Sequence, residues 1–166
     1  MALEIEWRFL VTKYPGIPAG CQSVGMLQTY LTTGSPTVRV RVVGEEGRIT
    51  VKSVGTVPEG GGPVARHEYE YAIPVEDARK MTELTDHRIE KRRYYLPGNL
   101  EVDVFAGRHA GLVLAEVEVE EHGPPPQPPA GWEWIDVSAD WRYSNQALAV
   151  EGLPPACVLA EETKPC

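Results

Sequence analysis

Hydrophobic and polar positions alternate along much of this chain, beginning at its first residues. Within residues 3–11, Glu4, Glu6 and Arg8 occupy every second position, and apolar residues fill the gaps between them. Alternation with a period of two is typical of a β-strand, because neighbouring side chains of a strand point to opposite faces. One face of the first strand therefore carries two carboxylates and a guanidinium, and the other face is apolar.

Further stretches of this kind are separated by short turns rich in glycine and proline, such as Gly34-Ser35-Pro36 and Pro97-Gly98. The predicted strands span residues 3–11, 26–33, 37–43, 47–54, 64–72, 87–96, 99–106 and 112–120. Strands joined by short turns pair antiparallel, and this number of strands is enough to close a sheet into a barrel. The sequence therefore predicts an α+β fold based on a closed eight-stranded antiparallel β-barrel, with a few helices outside it.

Two segments have the pattern of helices. Pro74 precedes residues 75–81 at a typical first-turn position, and Ser138 is a candidate N-cap for a helix over residues 138–149. We also expect an irregular turn or short helix within residues 15–25. The proline-rich residues 123–129 are expected to form an extended connector rather than a ligand for another domain.

Length and composition indicate a globular protein with a core of its own. The chain has 166 residues, of which 42% are hydrophobic and 24% charged, and we predict one domain over residues 1–150 followed by a tail over 151–166. The sequence contains no apolar run of about 18 residues, so no membrane span is predicted. Its N-terminus also lacks the pattern of a secretory signal. The odd cysteine count (Cys21, Cys157 and Cys166) favours a reducing, cytoplasmic location without disulfides.

The formal net charge of −8 argues against a nucleic-acid-binding protein, which would carry a basic surface. It does not exclude a small anionic ligand, because a few clustered Arg and Lys side chains create a local positive site within an acidic protein. The charge balance thus leaves a small polyanion as a candidate ligand.

The charged residues are sorted by sign along the predicted strands. Like-charged pairs two residues apart are Glu4/Glu6, Arg39/Arg41, Glu68/Glu70, Lys91/Arg93, Glu101/Asp103 and Glu116/Glu118. Any one pair is compatible with a solvated sheet face, yet two like charges on one strand face repel each other. A polyanion bound with a divalent cation would satisfy both kinds of pair, since carboxylates ligate Mg²⁺ or Mn²⁺ and guanidiniums bind phosphate oxygens. If these faces point into the barrel, its lumen is a charged tunnel and its outside must be apolar or covered, in part by the two helices.

The charged pairs lie within a series of nine short motifs, in the order Glu4-Ile5-Glu6-Trp7-Arg8, Gln28-Thr29-Tyr30, Val38-Arg39-Val40-Arg41, Ile49-Thr50-Val51-Lys52, Glu68-Tyr69-Glu70-Tyr71, Lys91-Arg92-Arg93-Tyr94, Glu101-Val102-Asp103, Glu116-Val117-Glu118 and Arg142-Tyr143-Ser144-Asn145. In this order the motifs resemble those of the CYTH superfamily, the triphosphate tunnel metalloenzymes, over about residues 3–149. The family begins with the pattern Glu-x-Glu-x-Lys, so Arg8 stands where the family has lysine. A planar guanidinium in place of a compact ammonium brings any proton-transfer role at this position into question.

The resemblance implies roles for particular residues. The metal ligands for Mg²⁺ or Mn²⁺ would be Glu4, Glu6, Glu116 and Glu118. The substrate-binding residues would be Arg8, Arg39, Arg41, Lys52, Lys91, Arg93, Tyr30 and Arg142. Arg8, Glu68 and Glu70 would take part in catalysis, with Glu68 and Glu70 orienting water or holding a second metal ion. Asp103 and Tyr30 would support these groups, and the last helix, with Arg142, would close one end of the tunnel.

The resemblance also implies a reaction, the metal-dependent hydrolysis of a triphosphate. Similarity to short bacterial inorganic triphosphatases favours inorganic tripolyphosphate, split into pyrophosphate and phosphate. An adenylate cyclase or thiamine triphosphatase, and a non-catalytic module that binds polyphosphate or a nucleotide, stay open as alternatives. The partner expected is a small triphosphate, not nucleic acid or a membrane, and whether the chain forms a homodimer is left open.

The tryptophans and histidines are expected to have structural rather than catalytic roles. Trp132, Trp134 and Trp141 could stack on a nucleobase, but packing of the last helix onto the barrel is the preferred interpretation. The four histidines show no metal-ligand spacing and are expected on the surface or in loops.

Overall fold

A computed structural model describes residues 2–163 and contains the closed barrel. Its strands are β1 (Ala2–Tyr14), β2 (Gln22–Tyr30), β3 (Thr37–Val43), β4 (Glu46–Lys52), β5 (Val64–Ile73), β6 (Arg88–Leu96), β7 (Leu100–Phe105) and β8 (Val113–Glu118). They follow the order β1-β5-β4-β3-β2-β6-β7-β8, and pairing of β8 with β1 closes the ring. All of these pairings are antiparallel. The barrel and its eight strands are confirmed.

Two further strands extend β1 beyond the barrel. β9 (Glu133–Asp136) pairs antiparallel with β1, and β10 (Glu161–Glu162) pairs parallel with its last residues. Leu10 is paired with both Leu114 of β8 and Ile135 of β9, so these two strands lie on opposite edges of β1. Neither extra strand was predicted. Part of the predicted tail is thus tied to the barrel, and residues 164–166, with Cys166, lie outside the described residues.

Helix α1 (Val75–Met81) begins after Pro74, as predicted. It packs outside the barrel against β3 and β4, and its fully buried residue Ala78 faces Gly47 of β4. A Cβ atom added at Gly47 would lie 2.7 Å from that of Ala78, closer than two carbon atoms can pack. Only glycine fits at this contact between helix and strand.

The predicted helix over residues 138–149 is wrong at its start. Residues Trp141–Tyr143 form a 3-10 turn, and helix α2 (Asn145–Glu151) begins only at Asn145. Its N-cap is Ser144, whose hydroxyl accepts a hydrogen bond from the Ala147 amide at 3.1 Å. Ser138 instead accepts a bond from the backbone amide of Arg8 at 2.8 Å, which ties this segment to β1. Residues 15–21 are irregular and contain no helix.

Aromatic side chains cover the outside of the barrel along β1. Phe9 stacks on Trp134 of β9, with ring centroids 4.4 Å apart, and Tyr14 lies 5.2 Å from Trp132. The tryptophans were predicted to pack the last helix onto the barrel, and this prediction is wrong. Trp132 and Trp134 instead pack β9 and the segment before it against β1. Trp141, just before α2, is 62% exposed.

The inner face of the barrel is charged at one end and apolar at the other. Leu10, Ile89 and Leu114 lie two residues from Arg8, Lys91 and Glu116 on the same strand faces, and all three are buried. With Leu148 and Ala149 of α2 they form one apolar cluster. The last helix therefore lies at one end of the lumen, as predicted, and that end is packed with apolar side chains.

One histidine and two cysteines lie outside the lumen of the barrel. His109 is loop-borne, as expected, but it is buried, and its Nε2 lies 2.7 Å from the Leu148 carbonyl oxygen. Cys21 and Cys157 are free thiols. In residues 2–163, no helix is both long enough and apolar enough to cross a membrane.

Candidate active site

The charged half of the lumen encloses a cavity of about 400 Å³. The predicted site residues that line it are Glu4, Glu6, Arg8, Tyr30, Arg39, Arg41, Lys52, Glu68, Lys91, Arg93, Glu116 and Glu118. The inward-facing positions of β1 to β6 and β8 supply them, because alternate residues of each strand face the lumen. Ser144, Asn145 and Gln146, at the start of α2, complete the wall.

Two predicted site residues do not line the cavity. Glu70 lies behind it and accepts hydrogen bonds from Arg41 Nη2 and Thr50 Oγ1, both at 2.9 Å. Arg142 is 48% exposed in its side chain and pairs with Asp140 at 2.6 Å. Glu70 is placed to orient an arginine of the cavity, and Arg142 lies on the surface beside α2.

At the acidic end, Arg8 bridges carboxylates from two strands. Its Nε donates to Glu116 Oε1 on β8 at 3.0 Å, and its Nη2 donates to Glu6 on β1. Arg93 Nη2 reaches the other oxygen of Glu116 at 2.6 Å. Burial alone would raise the pKa of Glu116, but the guanidiniums of Arg8 and Arg93 outweigh it and hold this pKa well below its ordinary value.

Arg66 is a cavity residue that sequence reasoning missed. It lies opposite Glu4 in the β1–β5 pairing, where its Nε donates to Glu4 Oε2 at 2.8 Å and its Nη2 to Glu6 Oε1 at 3.0 Å. Its position two residues before Glu68 places it on the same inward face. This alternation was a usable signal, but Arg66 belongs to no like-charged pair.

Glu118 differs from the other acidic residues of the cavity. Within the described range of the chain no cation forms an ion pair with it. Partial burial raises its pKa, and the negative charges of Glu4 and Glu6 raise it further. A cation placed between these three side chains would relieve their repulsion.

The basic wall of the cavity presents donors that lack acceptors. Arg39 Nη2 bonds to Thr50 Oγ1 at 3.1 Å, and Lys52 Nζ lies 2.6 Å from Glu68 and 3.0 Å from Glu4. The Nε atoms of Arg39 and Arg41 are buried without any hydrogen-bond partner among residues 2–163. A buried donor without an acceptor costs about 1–3 kcal/mol. The side chains of Arg39 and Arg41 line the cavity, so their guanidiniums supply positive charge for an anion there.

Lys91 and Arg93 share the buried carboxylate of Asp103 on β7. Arg93 Nε and Nη2 each donate to it at 2.7 Å, and Lys91 Nζ donates at 2.5 Å. Lys91 Nζ also donates to Asn145 Oδ1 at 3.1 Å. Burial lowers the pKa of Lys91 to about 8, because the opposing attraction of Asp103 does not fully offset the loss of solvation.

The acidic end fits a hard divalent cation in the chemistry of its donors, since four carboxylates from β1 and β8 line one cavity. Their arrangement here is directed at guanidiniums. In the part of the chain that the structure describes, no three acidic, histidine or cysteine side chains are grouped so that they could hold a metal ion. A cation bound by Glu4 and Glu6 would compete with Arg66 for both carboxylates, with Lys52 for Glu4 and with Arg8 for Glu6.

Known proteins share this sequence and fold. Residues 2–131 match the family model of the CYTH domain. The chain is 39% identical over 155 residues to an inorganic triphosphatase of Nitrosomonas europaea, which covers 89% of this chain and 97% of the relative. It is 35% identical over 158 residues to one of Acetivibrio thermocellus, with 89% and 94% covered.

A solved structure described as an inorganic triphosphatase superimposes with a TM-score of 0.62 at 34% identity, over 93% of this chain and 99% of that one. The closed barrel, its charged lumen and these matches agree over most of the sequence. The chain belongs to the CYTH domain family.

Proposed function

We propose that this protein hydrolyses inorganic tripolyphosphate to pyrophosphate and phosphate with the help of a divalent cation. The observation that carries the proposal is one cavity of about 400 Å³ whose lining combines basic side chains with carboxylates, namely Arg39, Arg41, Lys52 and Lys91 with Glu4, Glu6, Glu116 and Glu118. The names of the relatives from Nitrosomonas europaea and Acetivibrio thermocellus support the choice of an inorganic triphosphate.

The basic side chains provide the binding energy for phosphate. Arg39 and Arg41 on β3 and Lys52 on β4 line the same cavity as Lys91 and Arg93 on β6. A guanidinium donates two parallel hydrogen bonds to one phosphate, and an ammonium acts as a compact charge. Glu70 holds Arg41 in place from behind, so this arginine is pre-oriented for its ligand.

Glu4, Glu6, Glu116 and Glu118 would hold the divalent cation, Mg²⁺ or Mn²⁺. When bound, such an ion neutralises phosphate charge and makes phosphorus more open to attack. Glu68 lines the cavity and would accept a hydrogen bond from the attacking water. Burial would raise its pKa, but Lys52 and Arg39 together bring it below its ordinary value, so the carboxylate stays ionised. Arg8 cannot serve as a base, because a guanidinium keeps its proton; it holds Glu6 and Glu116 in position.

The test is a comparison of substrates with Mg²⁺ or Mn²⁺. Phosphate release from tripolyphosphate, cyclic AMP release from ATP and thiamine diphosphate release from thiamine triphosphate are measured side by side. We expect tripolyphosphate to be turned over with the highest kcat/KM. Tight binding of tripolyphosphate without release of phosphate would contradict the proposal and favour a binding module.

The predicted metal ligands are tested by a double variant, Glu4→Gln with Glu118→Gln. We expect it to fold, because neither side chain belongs to the two apolar clusters, and to lose turnover. Arg79→Gln is the matched control, since Arg79 lies on the exposed side of α1, far from the cavity lining, and pairs with Glu45 and Glu76. Wild-type activity in the double variant would remove these residues from the site.

The cytoplasmic location is proposed as well. Its support is the pair of free thiols, Cys21 and Cys157, which a reducing compartment preserves.

A further inference from the structure

Helix α2 lies outside the barrel, yet its first residue reaches a buried cation of the lumen. Asn145 lines the cavity, and its Oδ1 accepts a hydrogen bond from Lys91 Nζ at 3.1 Å. Lys91 itself is only 5% exposed. Asn145 is thus a contact between the C-terminal segment and the charged wall of the cavity.

The position of Asn145 is fixed from both ends of α2. At the C-terminal end, Arg108 Nη2 donates to the Leu148 carbonyl at 3.2 Å, and Leu148 is fully buried in the apolar cluster. At the N-terminal end, Gln146 Nε2 donates to the Thr32 carbonyl at 2.8 Å, and its Oε1 accepts from Thr37 at 3.1 Å. A helix held in this way presents Asn145 to Lys91 in one geometry.

An ammonium has three N–H donors. In residues 2–163 two of them are used, one by Asp103 and one by Asn145. The two acceptors come from different elements, β7 and α2, so together they fix the direction of the third N–H. Lys91 borders the cavity, and a phosphate oxygen there is the acceptor that this N–H lacks.

We propose that Asn145 is a positioning residue for triphosphate turnover, which orients the Lys91 ammonium so that its remaining N–H meets the substrate. The inference rests on the proposed function and adds a residue from outside the barrel to it. An amide suits this role because it accepts a hydrogen bond without neutralising the positive charge that attracts phosphate.

The protonation of Lys91 depends on the charged groups that face it, and a change at Asn145 adds to or subtracts from their effect. They are Asp103 on β7, Arg93 on β6 and Glu116 on β8, and the ring of Phe105 lies 5.5 Å from Nζ. Asp103 and Glu116 favour the protonated form, whereas burial and Arg93 disfavour it. Asn145 is a neutral acceptor that helps the protonated form.

The test compares Asn145→Asp with Asn145→Ala. A second carboxylate beside Lys91 stabilises the ammonium, so Asn145→Asp should move the alkaline limb of kcat/KM for tripolyphosphate upward by about one pH unit. Loss of the acceptor in Asn145→Ala should move the same limb downward. Shifts in opposite directions are not produced by a loosened helix, which affects both variants alike.

Arg108→Gln is the structural control, because it weakens the anchor of α2 without touching Lys91. We expect it to lower the melting temperature and to leave the alkaline limb where it is in the wild type. If Asn145→Asp and Asn145→Ala also leave that limb unmoved, or shift it in the same direction, the inference is overturned.

A second measurement separates this inference from the proposed function. The side-chain ¹⁵N resonance of Lys91, followed by NMR through a pH titration without substrate, reports the same two shifts in an inactive protein. Opposite shifts in this titration, in a protein that does not hydrolyse tripolyphosphate, would support the Asn145–Lys91 coupling and contradict only the proposed reaction. Identical titrations in all variants would contradict the coupling itself.

Discussion

Arg8 joins two strands of the barrel through one side chain. Its guanidinium donates to Glu6 on β1 and to Glu116 on β8, with two nitrogens set apart by the planar fork. A lysine would offer one compact ammonium in place of two separate nitrogens, so it would hold the two carboxylates less rigidly. The residue at which this chain departs from the N-terminal pattern expected for its family therefore contacts two predicted metal ligands, Glu6 and Glu116.

Arg8→Lys should consequently bind divalent cations more tightly. One of the two carboxylates loses its bond to residue 8 and keeps only the bond from Arg66 or Arg93. We therefore expect a gain of about tenfold in Mn²⁺ affinity, or about 1.4 kcal/mol. Titration of the protein with Mn²⁺, with free ion measured by electron paramagnetic resonance, gives the affinity without reference to activity. Arg79→Lys is the control, and an unchanged or weaker affinity of Arg8→Lys would contradict the argument.

Arg39→Gln tests the anion-binding wall. The variant keeps a polar side chain but loses the charge and the unpartnered Nε donor. A hydrogen bond to a charged group contributes about 1.5–3 kcal/mol, so the dissociation constant for tripolyphosphate should rise by about 10- to 100-fold. Isothermal calorimetry measures it, with Arg79→Gln as the control. Unaltered binding would place the substrate elsewhere in the lumen.

Much of the site at this scale could be predicted, because alternation fixes which residues of a strand share a face. Glu4, Glu6 and Arg8 line the cavity for this reason. The same rule says nothing about depth along the barrel. Glu70 faces inward but lies behind Arg41, and Arg142 lies on a 3-10 turn whose direction depends on where α2 begins.

At the scale of elements, the contact of α1 with β4 depends on the absence of a side chain at Gly47. Gly47→Ala would place a Cβ 2.7 Å from that of Ala78, so strand or helix must shift. We expect a loss of about 1–3 kcal/mol in the free energy of unfolding, measured by urea denaturation. Gly123→Ala, with nothing within 4 Å of its added Cβ, should change stability little. A loss of the same size in both variants would contradict the close contact.

The eight barrel strands could be predicted because their pattern has a period of two, whereas β9 and β10 could not. β9 has four residues, β10 has two, and both are defined by pairing with β1 rather than by a pattern of their own. The start of α2 was misplaced for a related reason. Ser138 is the predicted cap, but its hydroxyl accepts a hydrogen bond from the amide of Arg8, which is distant in the sequence, and Ser144 caps α2 instead.

At the scale of the whole molecule, the interior of the barrel is held by ion pairs as well as by apolar packing. Burial would raise the pKa values of Asp103 and Glu116, yet their cationic partners lower both below the ordinary values. The net charge of −8 describes a negative protein and does not reveal the basic groups inside it. The sorting of charges by strand predicted those groups, on the condition that the charged faces point into a barrel. That distribution depends on closure of the sheet.

Acid should therefore unfold the protein cooperatively. The folded pKa values of Asp103, Glu116 and Glu68 are below the unfolded values of about 4. Their contribution to stability is present above the unfolded pKa and is lost as the pH falls through it towards the folded values. The urea midpoint should be steady near neutral pH and should fall steeply below about pH 4.5. A midpoint that does not change between pH 6 and pH 3 would contradict this linkage.

The pairing of β1 affects how the protein folds during its synthesis on the ribosome. β1 precedes all of its partners in the sequence, and the nearest of them, β5, pairs with its residues 2–6, whereas Glu6 meets Glu118 of β8 and Tyr14 meets Glu162 of β10. Pairings between such distant residues form slowly, and an unpaired strand edge invites association with other chains. During synthesis the second half of β1 therefore lacks its barrel partner until β8 has been made, and the barrel closes only after that.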